Sequence, residues 1–121
     1  MITADLIIKD GTCVTHDRVF KADIAVKKGK ILKIGILDNY KAKRTLSAKG
    51  LHILPGAFDT QVHFREPGQE YKEDLNSGSR SAIAGGITTV FDMPNNNPSI
   101  STKKLFKKKL SDAKNRMFCN Y

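Results

Sequence analysis

The chain has 121 residues, 40% of them hydrophobic, with 21 Lys+Arg against 12 Asp+Glu and a formal net charge of +9. That length allows one modest domain or a piece of a larger one, and no apolar run approaches the ~20 residues of a membrane span. The first ten residues lack the basic segment, apolar stretch and cleavage site of a secretory leader. Cys13 and Cys119 lie far apart with no Cys-x-x-Cys partner, so free thiols, a reducing compartment and a cytoplasmic location are expected.

Residues 4–54 read as short strands and tight turns. Leu6, Ile7 and Ile8 form an apolar run that should stop at the turn dipeptide Asp10-Gly11. Cys13 and Val14 resume it before a polar stretch. Ala22 to Val26 and Ile31 to Ile34 are two further strand-like runs, joined by Lys27-Lys28-Gly29-Lys30, where the glycine can take the positive φ of a hairpin turn. Strands in quick succession without a helical period indicate a small sheet or sandwich.

After Lys49-Gly50 the pattern changes. Leu51 to Leu54 is a short apolar strand that runs into Pro55-Gly56, and the next stretch, closed by Pro67-Gly68, places Asp59, Gln61, His63 and Arg65 at alternating positions. In an extended strand these four point to one face, with Phe58, Val62 and Phe64 on the other. A carboxylate, an amide, an imidazole and a guanidinium on one face at a strand's end suit a metal or a small polar ligand.

From Asp74 the period is helical: Leu75, Ser79, Ala82 and Ile83 share a face, and Gly85-Gly86 sits where the helix would stop. Ile87 to Met93 reads as a buried strand and ends in the loop Met93-Pro94-Asn95-Asn96-Asn97-Pro98. Ser101 or Thr102 can cap a second helix, whose inner face is Leu105, Phe106, Leu110, Ala113 and Met117. Lysines 103, 104, 107, 108 and 109 then form its solvated outer face. Residues 118–121 look like the entrance to a third strand. The order strand, helix, strand, helix is the grammar of parallel βα units, and two such units leave a sheet edge open and apolar faces uncovered.

Both polar stretches follow strands, where parallel α/β proteins carry their sites. A guanidinium from Arg65 and an amide from the asparagine loop make a carboxylate clamp. Plainer readings compete. A lone strand histidine is more often a hydrogen-bonded residue than a ligand, the asparagine loop suits a rigid turn, and Arg65-Glu66 suits a surface pair. A basic helix can bind phosphates, but no aromatic stacking set accompanies this one, and nucleic acid is not the expected partner.

The segments Pro55-Gly56, Asp59-x-Gln61-Val62-His63-Phe64-Arg65-Glu66-Pro67-Gly68, Lys72-Glu73-Asp74, Gly78-Ser79-Arg80-x-Ala82, Ala84-Gly85-Gly86-x-Thr88-Thr89 and Asp92-Met93-Pro94-Asn95-x-Asn97-Pro98 together resemble the dihydroorotase branch of the amidohydrolase superfamily. The match covers about residues 50–98. It implies an α/β fold in which a small β-sandwich-like domain, residues 1–54, precedes the first two βα units of an incomplete (β/α)8 barrel of the TIM type, residues 55–121. It also implies one or two zinc ions, and dihydroorotate and N-carbamoyl-L-aspartate as substrates in pyrimidine biosynthesis.

Carried onto this sequence, the resemblance makes His63 a metal ligand, Arg65 the binder of the substrate carboxylate, Asn95 its partner and Asp59 a support behind them. Gln61 departs from the pattern: it stands where the family has the first histidine of His-x-His, and a neutral amide is a poorer zinc ligand than imidazole. The family's remaining ligands and its catalytic aspartate come from later strands, so no catalytic residue is expected within these residues and the chain alone should have no turnover. Allantoinase and hydantoinase chemistry are alternatives. So is a non-catalytic relative with a structural role beside aspartate transcarbamoylase, which Gln61 favours. A homo-oligomer is compatible with all of these.

Overall fold

The computed structural model describes residues 1–121, which separate into two compact units, Met1–Pro55 and Gly56–Tyr121. The first is a mixed sheet of β1 (Ile2–Val14), β2 (Val19–Lys27), β3 (Lys30–Gly35), β4 (Tyr40–Ser47) and β5 (His52–Ile53). Its order is β3-β2-β1-β4, with β5 also on β1; β1 and β2 and then β2 and β3 are antiparallel, whereas β4 and β5 run parallel to β1. Ala4, Ile7, Ala25 and Leu37 are its buried cluster.

The Lys27–Lys30 hairpin turns as expected, with Lys28 and Gly29 both at positive φ. Asp10-Gly11 does not. Strand β1 runs straight through it, and the pairing steps from Ile8↔Ile24 to Gly11↔Ala22, so one extra residue bulges out. Asp10 takes the left-handed conformation at φ 62°, and its N–H, lost to the ladder, donates to Asp23 Oδ1 at 3.0 Å. A Cβ at Gly11, next to it, would lie 2.3 Å from Ile53 Cδ1, so a larger residue there would have to displace the Ile53 side chain.

The second unit holds β6 (Ala57–Val62), α1 (Leu75–Ala84), β7 (Ile87–Asp92) and α2 (Lys103–Ala113). Strands β6 and β7 are parallel, and the chain returns after α2 to pair Asn120 in parallel with Thr89. Both helices start where a side-chain oxygen is ready to receive an orphan N–H: Asp74 accepts from Ser77 N–H in a reciprocal capping box, and Thr102 accepts from Leu105 N–H. Phe64, Leu75, Val90, Ala113 and Cys119 form the core. Ser79, fully buried, donates to Leu75 O at 2.7 Å and accepts from Phe118 N–H at 3.1 Å, which ties α1 to the returning chain.

The fold is therefore α/β with two successive βα units. As the sequence pattern anticipates, apolar surface is left open: Phe58, Phe91, Phe106, Phe118 and Tyr121 are all more than half exposed. No helix is long and apolar enough to cross a membrane.

Candidate functional site

Two loops leave the C-terminal ends of parallel neighbours, residues 63–74 after β6 and residues 93–102 after β7. They are stitched together by their backbones. Met93 N–H donates to Val62 O at 2.9 Å, and Asn97 N–H donates to Pro67 O at 3.1 Å. Their approach is so close that a Cβ at Gly68 would sit 2.1 Å from Asn97 O, and Gly68 is also at φ +103°. Only glycine closes the first loop there.

His63 and Asn95 meet across this seam, Nδ1 to Oδ1 at 2.9 Å. Asn95 presents its carbonyl oxygen, which only accepts, so Nδ1 donates, and in the neutral ring the lone pair then sits on Nε2. Asn95 Nδ2 is left without a protein acceptor, and both residues are exposed. Arg65 lies exposed on the first loop and belongs to none of the ion pairs. Asp59 accepts from the backbone N–H of Gln61 at 3.0 Å, and the Gln61 side chain is exposed.

The strict alternation expected from Asp59 to Arg65 stops earlier than the sequence suggests. Strand β6 ends at Val62, and its pairing with β7 shifts register between Asp59 and Val62. The loop, not the pleat, places His63 and Arg65. Phe58 is 68% exposed while Phe64 is buried at 8%, so the two do not share an environment.

Two charged pairs that sequence reasoning missed hold the loops. Glu66 pairs with Arg116, not with its neighbour Arg65: Arg116 donates through both terminal nitrogens, at 2.6 and 2.8 Å, and Leu75 N–H at the start of α1 donates to the same carboxylate at 3.0 Å. The Arg116 guanidinium first, and the Leu75 N–H after it, hold the Glu66 carboxyl below its ordinary pKa against the opposing effect of burial. The same pairing raises Arg116.

The second pair overturns the expectation that Lys109 is solvated. Its side chain is only 14% exposed and stands 2.5 Å from Asp92 Oδ2 and 2.6 Å from Asn96 Oδ1. The contact with Asp92 is an ion pair without hydrogen-bond alignment, since Oδ2 has no hydrogen-bond donor. A signal was available: Leu105, Lys109 and Ala113 are spaced four apart, on the inward stripe of α2.

Zinc takes three or four nitrogen, sulfur or oxygen ligands from the protein. This chain brings no three His, Cys, Asp or Glu side chains together for a metal, and its one imidazole in the site is His63. These residues do not by themselves fit a zinc site.

A sequence model described as the amidohydrolase family matches residues 52–119, more than half of the chain. The chain belongs to the amidohydrolase family. Within that family it is 41% identical over 110 residues to a dihydroorotase of Lactobacillus gasseri, covering 91% of this chain and 25% of the relative. It is 41% identical over 116 residues to a dihydroorotase of Aquifex aeolicus, covering 94% of this chain and 28% of that one. Among solved structures, an L-hydantoinase (dihydropyrimidinase) from Arthrobacter aurescens superposes with a TM-score of 0.86 at 33% identity, over 96% of this chain and 26% of that one. The chain thus spans about a quarter of the length of the curated relatives it matches.

Proposed function

We propose that this chain supplies the carboxylate-binding part of a dihydroorotase-type cyclic amidohydrolase, which opens dihydroorotate to N-carbamoyl-L-aspartate and closes it again. One observation carries this reading. On two interlocked loops, Arg65 keeps a guanidinium free of any carboxylate and Asn95 keeps an amide N–H without an acceptor. An anionic substrate group is the natural acceptor for both, because a charged fork and a neutral donor together match a carboxylate. The dihydroorotase relatives support the choice of substrate.

In this reading His63 offers Nε2 to a metal, Gln61 is at most a weak ligand beside it, and Asp59 stiffens the strand end through the Gln61 N–H. Any zinc would need ligands from outside these residues, and no catalytic residue lies within them. The chain alone is expected to be without turnover.

Two other readings have observations behind them. Likeness to hydantoinase structures favours a substrate without a carboxylate. Gln61 in place of a histidine favours a non-catalytic subunit that assembles with aspartate transcarbamoylase. One experiment separates the three: the chain is assayed alone and then joined to the downstream three-quarters of the Aquifex aeolicus dihydroorotase. The joined protein should hydrolyse dihydroorotate, and Arg65→Gln should raise KM for dihydroorotate about tenfold or more, as loss of a charged hydrogen bond predicts. Faster turnover of an uncharged hydantoin, indifferent to Arg65, would favour the hydantoinase reading. A joined protein that folds without turnover on either substrate would favour the structural one.

A further inference from the structure

The hydrogen bond between His63 and Asn95 is exposed, yet it joins two loops that both have to be in place for it to form. The residue that follows each partner is clamped. Phe64, next to His63, donates its N–H to Asp92 Oδ1 at 3.0 Å and gives its carbonyl to Asn96 Nδ2 at 2.9 Å. Asn96, next to Asn95, also donates to Glu66 O at 3.1 Å. Both clamps run to one ammonium, because Lys109 contacts Asp92 and donates to Asn96 Oδ1. An ammonium donates only, so Asn96 has to present its oxygen to Lys109 and its nitrogen to the first loop. Of the five lysines on α2, Lys109 alone is turned inward; Lys103, Lys104, Lys107 and Lys108 are exposed. Burying an ammonium costs solvation that only such partners repay.

We propose that Lys109 is a positioning residue: through Asp92 and Asn96 it sets the backbone on both sides of the His63–Asn95 bond, and so holds the imidazole with Nδ1 protonated and Nε2 free. This rests on reading residues 63–98 as the site, but its test needs no substrate. Its failure and the failure of the dihydroorotase reading are therefore separate results.

The test is a long-range proton–nitrogen NMR spectrum of the full 121-residue chain with labelled histidine, at a pH where the rings are neutral. His63 should show the Nδ1–H form, whereas the exposed His16 and His52 report the ordinary mixture within the same sample. In Lys109→Met, His63 should move to the His16 and His52 pattern, and in Lys108→Met it should stay. Since Lys109→Met strands the Asp92 carboxylate, Lys109→Met with Asp92→Asn is made alongside; it removes both charges and keeps an acceptor for Phe64 N–H. A folded double variant whose His63 has moved supports the proposal. An Nε2–H form in the unaltered chain, or an unmoved His63 in the folded double variant, would overturn it. So would an unfolded double variant, because Lys109 would then serve the fold and not the imidazole.

Discussion

Both units of this chain carry surface ion pairs, but only the second also draws charged pairs inward. In Met1–Pro55 the ion pair between Lys43 and Asp5, at 3.1 Å, lies on the surface with side chains 75% and 41% exposed, and the buried cluster is made of Ala4, Ile7, Ala25 and Leu37. In Gly56–Tyr121 the pairs Lys109–Asp92 and Arg116–Glu66 are drawn inward, with Asp92 at 15% and Glu66 at 12% exposure. The sheet unit needs only its strand ladder and its apolar cluster. The βα unit has in addition to place two loops side by side, and the two-pronged Arg116–Glu66 pair is directional where an apolar contact is not. The largest expected effect follows directly. Lys109→Met leaves Asp92, only 15% exposed, without its cation, which should cost about 3–5 kcal/mol. Amide hydrogen exchange should show that loss confined to Gly56–Tyr121. Unchanged protection there would break the comparison.

A smaller effect comes from Glu66, whose partner Arg116 is itself 38% exposed and therefore screened. Glu66→Gln keeps the size and an acceptor for Leu75 N–H but removes the charge, and should cost about 1–2 kcal/mol at neutral pH. Because the folded pKa of Glu66 is depressed, chiefly by Arg116, its contribution is fully present above the ordinary glutamate value of about 4.3. It is lost as pH falls from there through the folded value. Urea midpoints of the parent chain and the variant, followed through amides of the second unit, should therefore converge as the solution is acidified. A constant gap between the two curves would mean that the carboxylate's charge is not what matters.

The same contrast separates what the sequence reveals from what it conceals. Helix α1 is legible because its signals are local: Asp74 caps it, and Gly85-Gly86 ends it. Strand β7 and the returning residues after α2 are legible for the same reason, as an apolar run and the start of another. Asp10-Gly11 misleads because a bulge and a turn ask for the same left-handed backbone, and only the ladder on both sides tells them apart. Strand β4 is hard to see because its residues, Tyr-Lys-Ala-Lys-Arg-Thr-Leu-Ser, are mostly exposed at the end of the sheet order, where lysines guard an open edge.

In the site, His63, Arg65 and Asn95 stand out by type and place, and the structure joins His63 to Asn95. What holds them was not legible: Arg116 is 50 positions from Glu66, and Lys109 is hidden in a run of three lysines whose inward member shows only when the helical stripe is drawn. Long-range polar contacts leave little periodic trace in a sequence.

The smallest effect tests the other side of the comparison. Asp5 accepts Lys28 N–H at 2.7 Å and faces Lys43. Its pKa is lowered by the Lys28 N–H first and by Lys43 after it. Read naively, that makes Asp5 a fastener for the hairpin turn between β2 and β3. However, every group in the contact is solvated, so water replaces what the side chain gives and salt screens the rest. Asp5→Asn, which keeps an oxygen for Lys28 N–H, should leave the unfolding midpoint of the sheet unit unmoved at neutral pH, at low and at high salt alike. A clear loss that grows as salt is removed would show that Met1–Pro55 also leans on a charge. The division of labour drawn here between a sheet held by its ladder and loops held by ion pairs would then fail from its weaker end.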